Sequence, residues 1–574
     1  MPEGASQGLA GSFGPFDWAV VLGLFLLTHW IGAATSGRPA TIRDFFLGGR
    51  KLPWYAVSAS IIATEISAVT LISLPATVFK DGGNIAYLQL GVIGLFLARW
   101  IVALWLIPRY YEREIFSPYD YMGQVLGPHV RSVTTILFTI GGVLGQAARV
   151  YLTGLVLEVV LHDEFSALEQ ATGVRGLWAA IALIGLVAVV WTWLGGMATV
   201  IWTDAVLFLV FLIAIAVALV TAVAHVEGGA AEVVALGRAA DKFHFFDFEL
   251  SFSKANTFWA ALIANTWVGV GAFGTDQLMA QRVFCCKNAR DAQKAMIASW
   301  LGNAVTLTVM LVGIALYAYY AQHPMTGDTL ASYQANTERI FPIFIVDVIP
   351  SGLKGLIIAG AFAAAISSLD SILAALAQTV MSAFYLPRLA RQGSVSQDDE
   401  RRALAVSKLL IVVFGVVLCV IAALCEFVQR DPRFGAVLDL ALMMPGYTQG
   451  ALLAAFGLAF FFRGRVDGSG YLWSAPLSVI TVLAVAWHQA WTPWVVASAF
   501  AVLLGAWCLH CASAWRAADL ARAAAWLAAG ALLAAAQHFS PAITWPWFAP
   551  IGCTTAFVFG YLLRRAGERS DATT

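Results

Sequence analysis

Apolar runs about as long as a bilayer is thick recur along almost the whole chain, and that repetition limits the fold before any motif is read. A helix needs about 20 consecutive apolar residues to cross a hydrocarbon core of about 30 Å. The runs predict about fifteen spans, at residues 16–35, 54–79, 86–108, 133–160, 177–196, 199–224, 257–280, 293–321, 353–386, 404–427, 435–462, 470–488, 493–511, 519–537 and 543–563. Several exceed the hydrocarbon thickness and are expected to tilt or break. Only 12% of the residues are charged and the mean hydropathy is +0.78, whereas a soluble domain carries roughly 25% charged residues. The short alternating segments of a transmembrane β-barrel are missing. The chain reads as an all-α integral membrane protein surrounded by lipid. Its net charge of zero shows no footprint for nucleic acid.

Basic residues in short loops set the orientation. The stretch before the first run holds Glu3 and no Lys or Arg, so the basic region of a cleavable signal is missing. With Met1 outside, the inside loops hold Arg38, Arg43, Arg50 and Lys51; Arg109, Arg113 and Arg131; Arg282, Lys287, Arg290 and Lys294; Arg388, Arg391, Arg401 and Arg402; Arg463 and Arg465; Arg516 and Arg522; and Arg564, Arg565 and Arg569. The outside segments, with Lys80, Arg175, Arg238, Lys242, Lys254, Arg339, Lys354, Arg430 and Arg433, are sparser. The expectation is a multi-pass protein of the plasma (inner) membrane with its C-terminus in the cytoplasm.

Ionisable and polar residues inside membrane helices are costly and default to function. Glu65 sits in Ala63-Thr64-Glu65-Ile66-Ser67-Ala68, within an apolar span. The cluster fits a broken helix whose freed carbonyls coordinate a cation; it also fits an intact helix in which Glu65 pairs with a neighbouring Arg or Lys. Ala364, Ser367, Ser368 and Ser371 follow the spacing of one helical face. Their hydroxyls suit sodium, and their small size equally suits close packing. Asp370 lies off that stripe and needs a partner. Asp204 reads either as a pairing acid or as part of an ion path. Gly269, Gly271 and Gly274 permit a second broken helix or close helix packing. Cys508-x-x-Cys511 around His510 is a weak metal signal, better explained by packing. No Walker loop is present. No nucleophile–base set or metal cluster marks an enzyme, and the 9 His are scattered.

Taken in order, four motifs resemble the sodium/solute symporter family, which includes sodium-coupled sugar, monocarboxylate, iodide, proline and sialic acid carriers. They are Phe46-Leu47-Gly48-Gly49-Arg50 with Leu52-Pro53-Trp54; Gly195-Gly196-Met197 leading to Trp202-Thr203-Asp204; Thr275-Asp276-Gln277 with Gln281-Arg282; and the run Gly360–Ser371. The resemblance covers roughly residues 40–465. It implies a five-plus-five inverted-repeat (LeuT-like) core at 54–465, preceded by a leading segment at 1–53 and followed by additional helices and a short tail at 466–574. It places the main sodium site at Ala63, Ile66, Ala364, Ser367 and Ser368, and a second sodium site at Asp204, Asp370 and Ser371, with Ser367 facing it. Solute-side positions map onto Glu65 and Gln89. The sugar carriers' solute residues fall on Glu65, Gln89, Asn303, Ala272 and Leu442, none of the expected type, which argues against a hexose.

The function implied is sodium-coupled symport of a small polar organic solute by alternating access, with sodium as the coupling ion and no other cofactor. A proton-coupled symporter and a transporter-like membrane sensor are the alternatives. A reporter fused after Thr574 is expected to be active only in the cytoplasm; activity on the far side would overturn the odd number of spans.

Overall fold

In a computed structural model the described residues are 14–36, 41–113, 115, 117–335, 337–390, 396–429, 437–462, 466, 468–511, 518–539 and 543–564. Within them, helices account for all fifteen apolar segments. In chain order the helices are α1 Pro15–Ser36, α2 Trp54–Glu65, α3 Ala68–Phe79, α4 Leu90–Tyr111, α5 Pro128–Val160, α6 Gly176–Trp193, α7 Gly196–Ala224, α8 Ala260–Thr275 and α9 Gln277–Phe284. They continue as α10 Ala289–Gln322, α11 Leu353–Leu389, α12 Gln397–Gln429, α13 Val437–Phe461, α14 Tyr471–Ala486, α15 Thr492–Cys511, α16 Ala518–Phe539 and α17 Phe548–Leu562. Ten among the described residues are long and apolar enough to span, and the bent pair α2/α3 makes an eleventh. α8 and α14 are shorter apolar helices.

The break between α2 and α3 has a local cause. Ile66 is extended (φ −85°, ψ 108°), and Ser67 then caps α3 in a reciprocal box with Thr70. The Ser67 N–H donates to Thr70 Oγ1 (3.3 Å), so the Ala63 carbonyl loses its helical donor. The two helices meet at 55°. A second break falls at Asp276, extended at φ −79° and ψ 127°, whose carboxylate caps α9 by accepting from Leu278 N–H (2.8 Å). The three glycines before it serve packing instead: a Cβ on Gly269 would lie 2.5 Å from Ala98, and one on Gly274 would lie 2.7 Å from Leu106. Gly269 and Gly274 let α8 lie against α4, a Cβ on Gly271 would lie 2.8 Å from Gln449 of α13, and the chain breaks just past them and Thr275.

The two ends of the bundle are stitched by loops that alternation puts on the same side. At one end the Arg50 guanidinium donates to Ile115 O (2.9 Å) and lies over Tyr111; the Tyr111 hydroxyl donates to Cys286 O (3.0 Å), and Leu52 N–H to Cys285 O (3.1 Å). At the other end Asp17 accepts from Gly352 N–H (2.6 Å), Gly355 N–H (3.0 Å) and Ser351 (2.9 Å). There Lys242 is buried and donates to Lys80 O (2.6 Å) and Phe79 O (3.2 Å), the last carbonyls of α3. Burial lowers its ammonium pKa, and the negative end of the α3 dipole is a favourable place for that charge. The later helices α14, α15 and α16 share a separate apolar cluster around Leu477, Trp507 and Trp526.

α6 and α7 are joined at Gly196, held at φ 62° and ψ −163°, a conformation essentially reserved for glycine. A Cβ there would stand 2.5 Å from Phe45 O. Gly196→Ala is expected to cost about 2 kcal/mol or more and to lower the detergent melting temperature by several degrees. Gly23→Ala, where a Cβ meets nothing within 4 Å, is expected to leave it unchanged. Equal melting of the two variants would show that this joint tolerates a side chain.

Candidate functional site

Hydrocarbon offers no water to a charge, so the charged residues near midplane show what the helices must hold together. One cluster joins four of them. Asp204 of α7 is fully buried; its Oδ2 accepts from Ser60 Oγ of α2 (2.6 Å) and from Arg282 Nη2 of α9 (3.1 Å). Arg282 also donates to Ser60 Oγ (2.9 Å), to Leu278 O (2.6 Å) and to Ser371 Oγ of α11. The Ser371 hydroxyl in turn reaches Ser367 O (2.6 Å) and Asp370 Oδ1 (3.1 Å). Asp370 faces Asp204. Two carboxylates and one guanidinium leave one net negative charge when all are ionised. Three buried oxygens, Asp204 Oδ1, Asp370 Oδ2 and Ser367 Oγ, make no hydrogen bond of normal geometry.

These contacts amend two expectations. Arg282, counted among the inside-loop cations, is wholly buried and is the counterion of Asp204. Ser371, expected beside Asp204 and Asp370 at a second sodium site, is engaged by Arg282 and by the Ser367 carbonyl. The Ser367 hydroxyl faces Asp204 from the same helix as Ser371.

At the α2/α3 break, Ala63, Ile66 and Ser367 line one small cavity with Leu207, Phe208 and Phe211. It holds about 10 Å³, close to the room one water-sized species needs. Ser368 is buried on the same helix and has partners of its own. Ala364 belongs to α11, and its side chain lies outside the described residues. Tertiary packing thus brings together three of the five residues expected to hold sodium.

Glu65 is both at a break and paired. Its carboxylate meets Arg99 Nη2 of α4 (2.5 Å), while Arg99 donates to Ser299 Oγ (2.9 Å) and lies 4.1 Å over the Phe273 ring. Arg99 is almost wholly buried; Glu65 keeps 26% of its side chain accessible. Gln89 is tied elsewhere: its amide donates to the Asn256 carbonyl (2.9 Å), and its Oε1 is buried without a partner. Glu65 and Gln89, expected on the solute side together, therefore have separate partners. Sequence reasoning missed Arg99 and Arg149. The signal was present, because each is the one basic residue in its apolar run, 86–108 and 133–160.

Removing one member of a buried ion pair costs about 3–5 kcal/mol, because the other charge is left uncompensated. Asp204→Asn is therefore expected to reduce folded protein sharply, and adding Arg282→Gln to restore most of it. A double variant that melts no higher than Asp204→Asn in size-exclusion thermal assays would rule out their pairing as the source of stability.

The model of the sodium:solute symporter family matches residues 45–477. Sodium-coupled monocarboxylate transporter 2 of Danio rerio is 29% identical over 473 residues, covering 80% of this chain and 70% of that protein. Sodium-coupled monocarboxylate transporter 1 of Xenopus laevis is 28% identical, with 80% and 70% covered. The human sodium/iodide cotransporter is 25% identical, with 80% and 68% covered. Among solved structures, a Na+-coupled sialic acid symporter in a substrate-bound outward-open state has the same fold, with a TM-score of 0.72 at 24% identity over 96% of this chain and 97% of that one. With a family match over most of its length and a LeuT-like arrangement of helices, the chain belongs to the sodium:solute symporter family and is a sodium-coupled transporter rather than an enzyme.

Proposed function

We propose that the chain carries a small polar organic solute into the cell, driven by a sodium ion held between the α2/α3 break and α11. The observation that carries this reading is the small cavity lined by Ala63, Ile66 and Ser367, where the helix break frees the Ala63 carbonyl and α11 brings a buried hydroxyl. Carbonyls of Ala63, Ile66 and Ala364 with hydroxyls of Ser367 and Ser368 supply hard oxygen ligands. None of them titrates, which favours sodium over a proton as the coupling ion. Such a shell bridges two helices, so sodium favours the state in which they are together. A ligand shifts an equilibrium only by its differential affinity for the two states. One charge moved through 100 mV contributes about 2.3 kcal/mol.

A second cation is proposed for the Asp204–Asp370 cluster, coordinated by Asp204 Oδ1, Asp370 Oδ2 and Ser367 Oγ. The net negative charge that remains after Arg282 is counted supports it. Glu65 and Gln89 are proposed on the solute path. The relatives named for monocarboxylates and for iodide make small anions the first solutes to test. We also propose residues 54–465 as the transporting core, residues 466–574 as additional helices, and a cytoplasmic C-terminus in the plasma membrane.

In proteoliposomes, Ser367→Ala and Ser368→Ala are each expected to raise the sodium concentration for half-maximal uptake several-fold, with little loss of folded protein. Asp370→Asn is expected to bring the Hill coefficient for sodium towards one. Unchanged sodium dependence in both serine variants would remove the main site from this position.

A further inference from the structure

Between the end of α7 and the head of α8 the chain exposes more apolar surface than a loop in water needs. Residues 244–257 form no helix or strand. Phe246, Phe248, Leu250 and Phe252 alternate there with Asp247, Glu249 and Ser251. That is the period of an extended chain with one apolar and one polar side. All four apolar side chains are exposed, Phe248 to 62% and Leu250 to 71%. Single exposed apolar residues are ordinary, but a contiguous patch marks a surface that something covers.

The rings run on into the lipid-facing side of α8. Phe246 and Phe248 stack with centroids 5.5 Å apart, Phe248 lies 5.0 Å from Phe258, and Phe258 lies 5.4 Å from Trp259 at the head of α8. Exposed side chains then continue down that helix at every fourth residue, Trp259, Ile263 and Trp267. α8 is an apolar helix within a membrane-spanning bundle, so an exposed stripe on it faces acyl chains. The Trp259 indole Nε1 donates to Phe248 O (3.2 Å), which sets the loop level with the first turn of the helix. Tryptophan at a helix end marks the boundary between headgroups and acyl chains. On the polar side of the loop Glu249 pairs with Lys254, both half-exposed.

We propose that residues 246–250 insert into the membrane interface at the end of the bundle that carries Lys80 and Lys242. Phe246, Phe248 and Leu250 lie among the acyl-chain ends, and Glu249 and Lys254 lie among the headgroups. The partner is the lipid surface itself, and an apolar face at this boundary sinks about 5–10 Å. The insertion bears on the route into the protein, because the same segment continues as a wall. The Phe252 ring packs 4.7 Å from Trp547, and Phe252 O accepts from Thr544 N–H (3.0 Å). Ser253, Ala255 and Asn256 then line a cavity of about 450 Å³ with Thr77, Lys80 and Tyr87. Lipid thereby holds one lip of that cavity. The inference needs only that α8 lies in the bilayer, and not the identity of the ion or the solute.

The test uses full-length protein with Cys508→Ser, which removes the exposed cysteine, in vesicles of phosphatidylethanolamine and phosphatidylglycerol. A nitroxide is placed at Phe248→Cys, Glu249→Cys or Leu250→Cys, and its collisions with oxygen and with a water-soluble nickel chelate are compared. The oxygen-to-nickel ratio at 248 and 250 is expected to be at least threefold that at 249. Nickel-dominated collisions at 248 and 250 would place the loop in water, and exclusion of both reagents would place it against protein, a second copy or another chain; either result overturns the proposal. Adding Phe246→Ser and Phe248→Ser to the label at 250 is expected to lower its ratio several-fold. An unchanged ratio would show that the contacts to Trp259 and Trp547 alone set the height of the loop, and would overturn the anchoring role.

Discussion

Water is absent from the middle of a bilayer, so every charge placed there must be met by another part of the protein. In this chain three arginines on three different helices organise that requirement. Arg282 on α9 gathers Ser60, Asp204 and Ser371 from α2, α7 and α11. Arg99 on α4 gathers Glu65, Ser299 and the Phe273 ring. Arg149 on α5 is left facing a cavity. The first two act as joints between helices, and the third lines a cavity with Gln146 and Asp276. Each joint combines a charge pair with hydroxyl partners, the condition under which a buried pair holds its geometry.

The breaks do a different kind of work. An unwound residue in a membrane helix exposes backbone groups that must be used. At Ile66 the broken helix and Ser367 of α11 line one small cavity together with Leu207, Phe208 and Phe211. At Asp276 the N-terminal end of α9 is capped by its own carboxylate. One break therefore lies against Ser367 of α11, and the other shares a cavity with Arg149.

Much of this was legible in the residues. Apolar run length predicted about fifteen spans and helices stand at each, but among the described residues ten, or eleven with the bent pair α2/α3, are long and apolar enough to cross a bilayer. The cluster at Glu65 was read either as a break or as an intact helix with Glu65 paired, and the structure shows a break together with the pair to Arg99. The glycine cluster at 269–274 was read for a break as well as for packing. Gly269 and Gly274 turned out to face α4 and Gly271 to face α13, and the chain parts at Asp276 instead. Arg282 was misread because it sits close to a basic loop in sequence, and only the inward turn of α9 takes it to Asp204.

The sequence by itself determined that the chain spans a membrane, where its helices lie, which hydroxyls share a face of α11, and which family it resembles. These follow from local periodicity and from motif order, which depend on neighbours along the chain. The tertiary structure alone decided which charges meet. Glu65 with Arg99 is separated by 34 positions and Asp204 with Arg282 by 78, and no periodicity links residues so far apart. It also decided that Arg149 shares a cavity with Asp276, because a cavity is a property of the whole packed bundle and not of any segment within it.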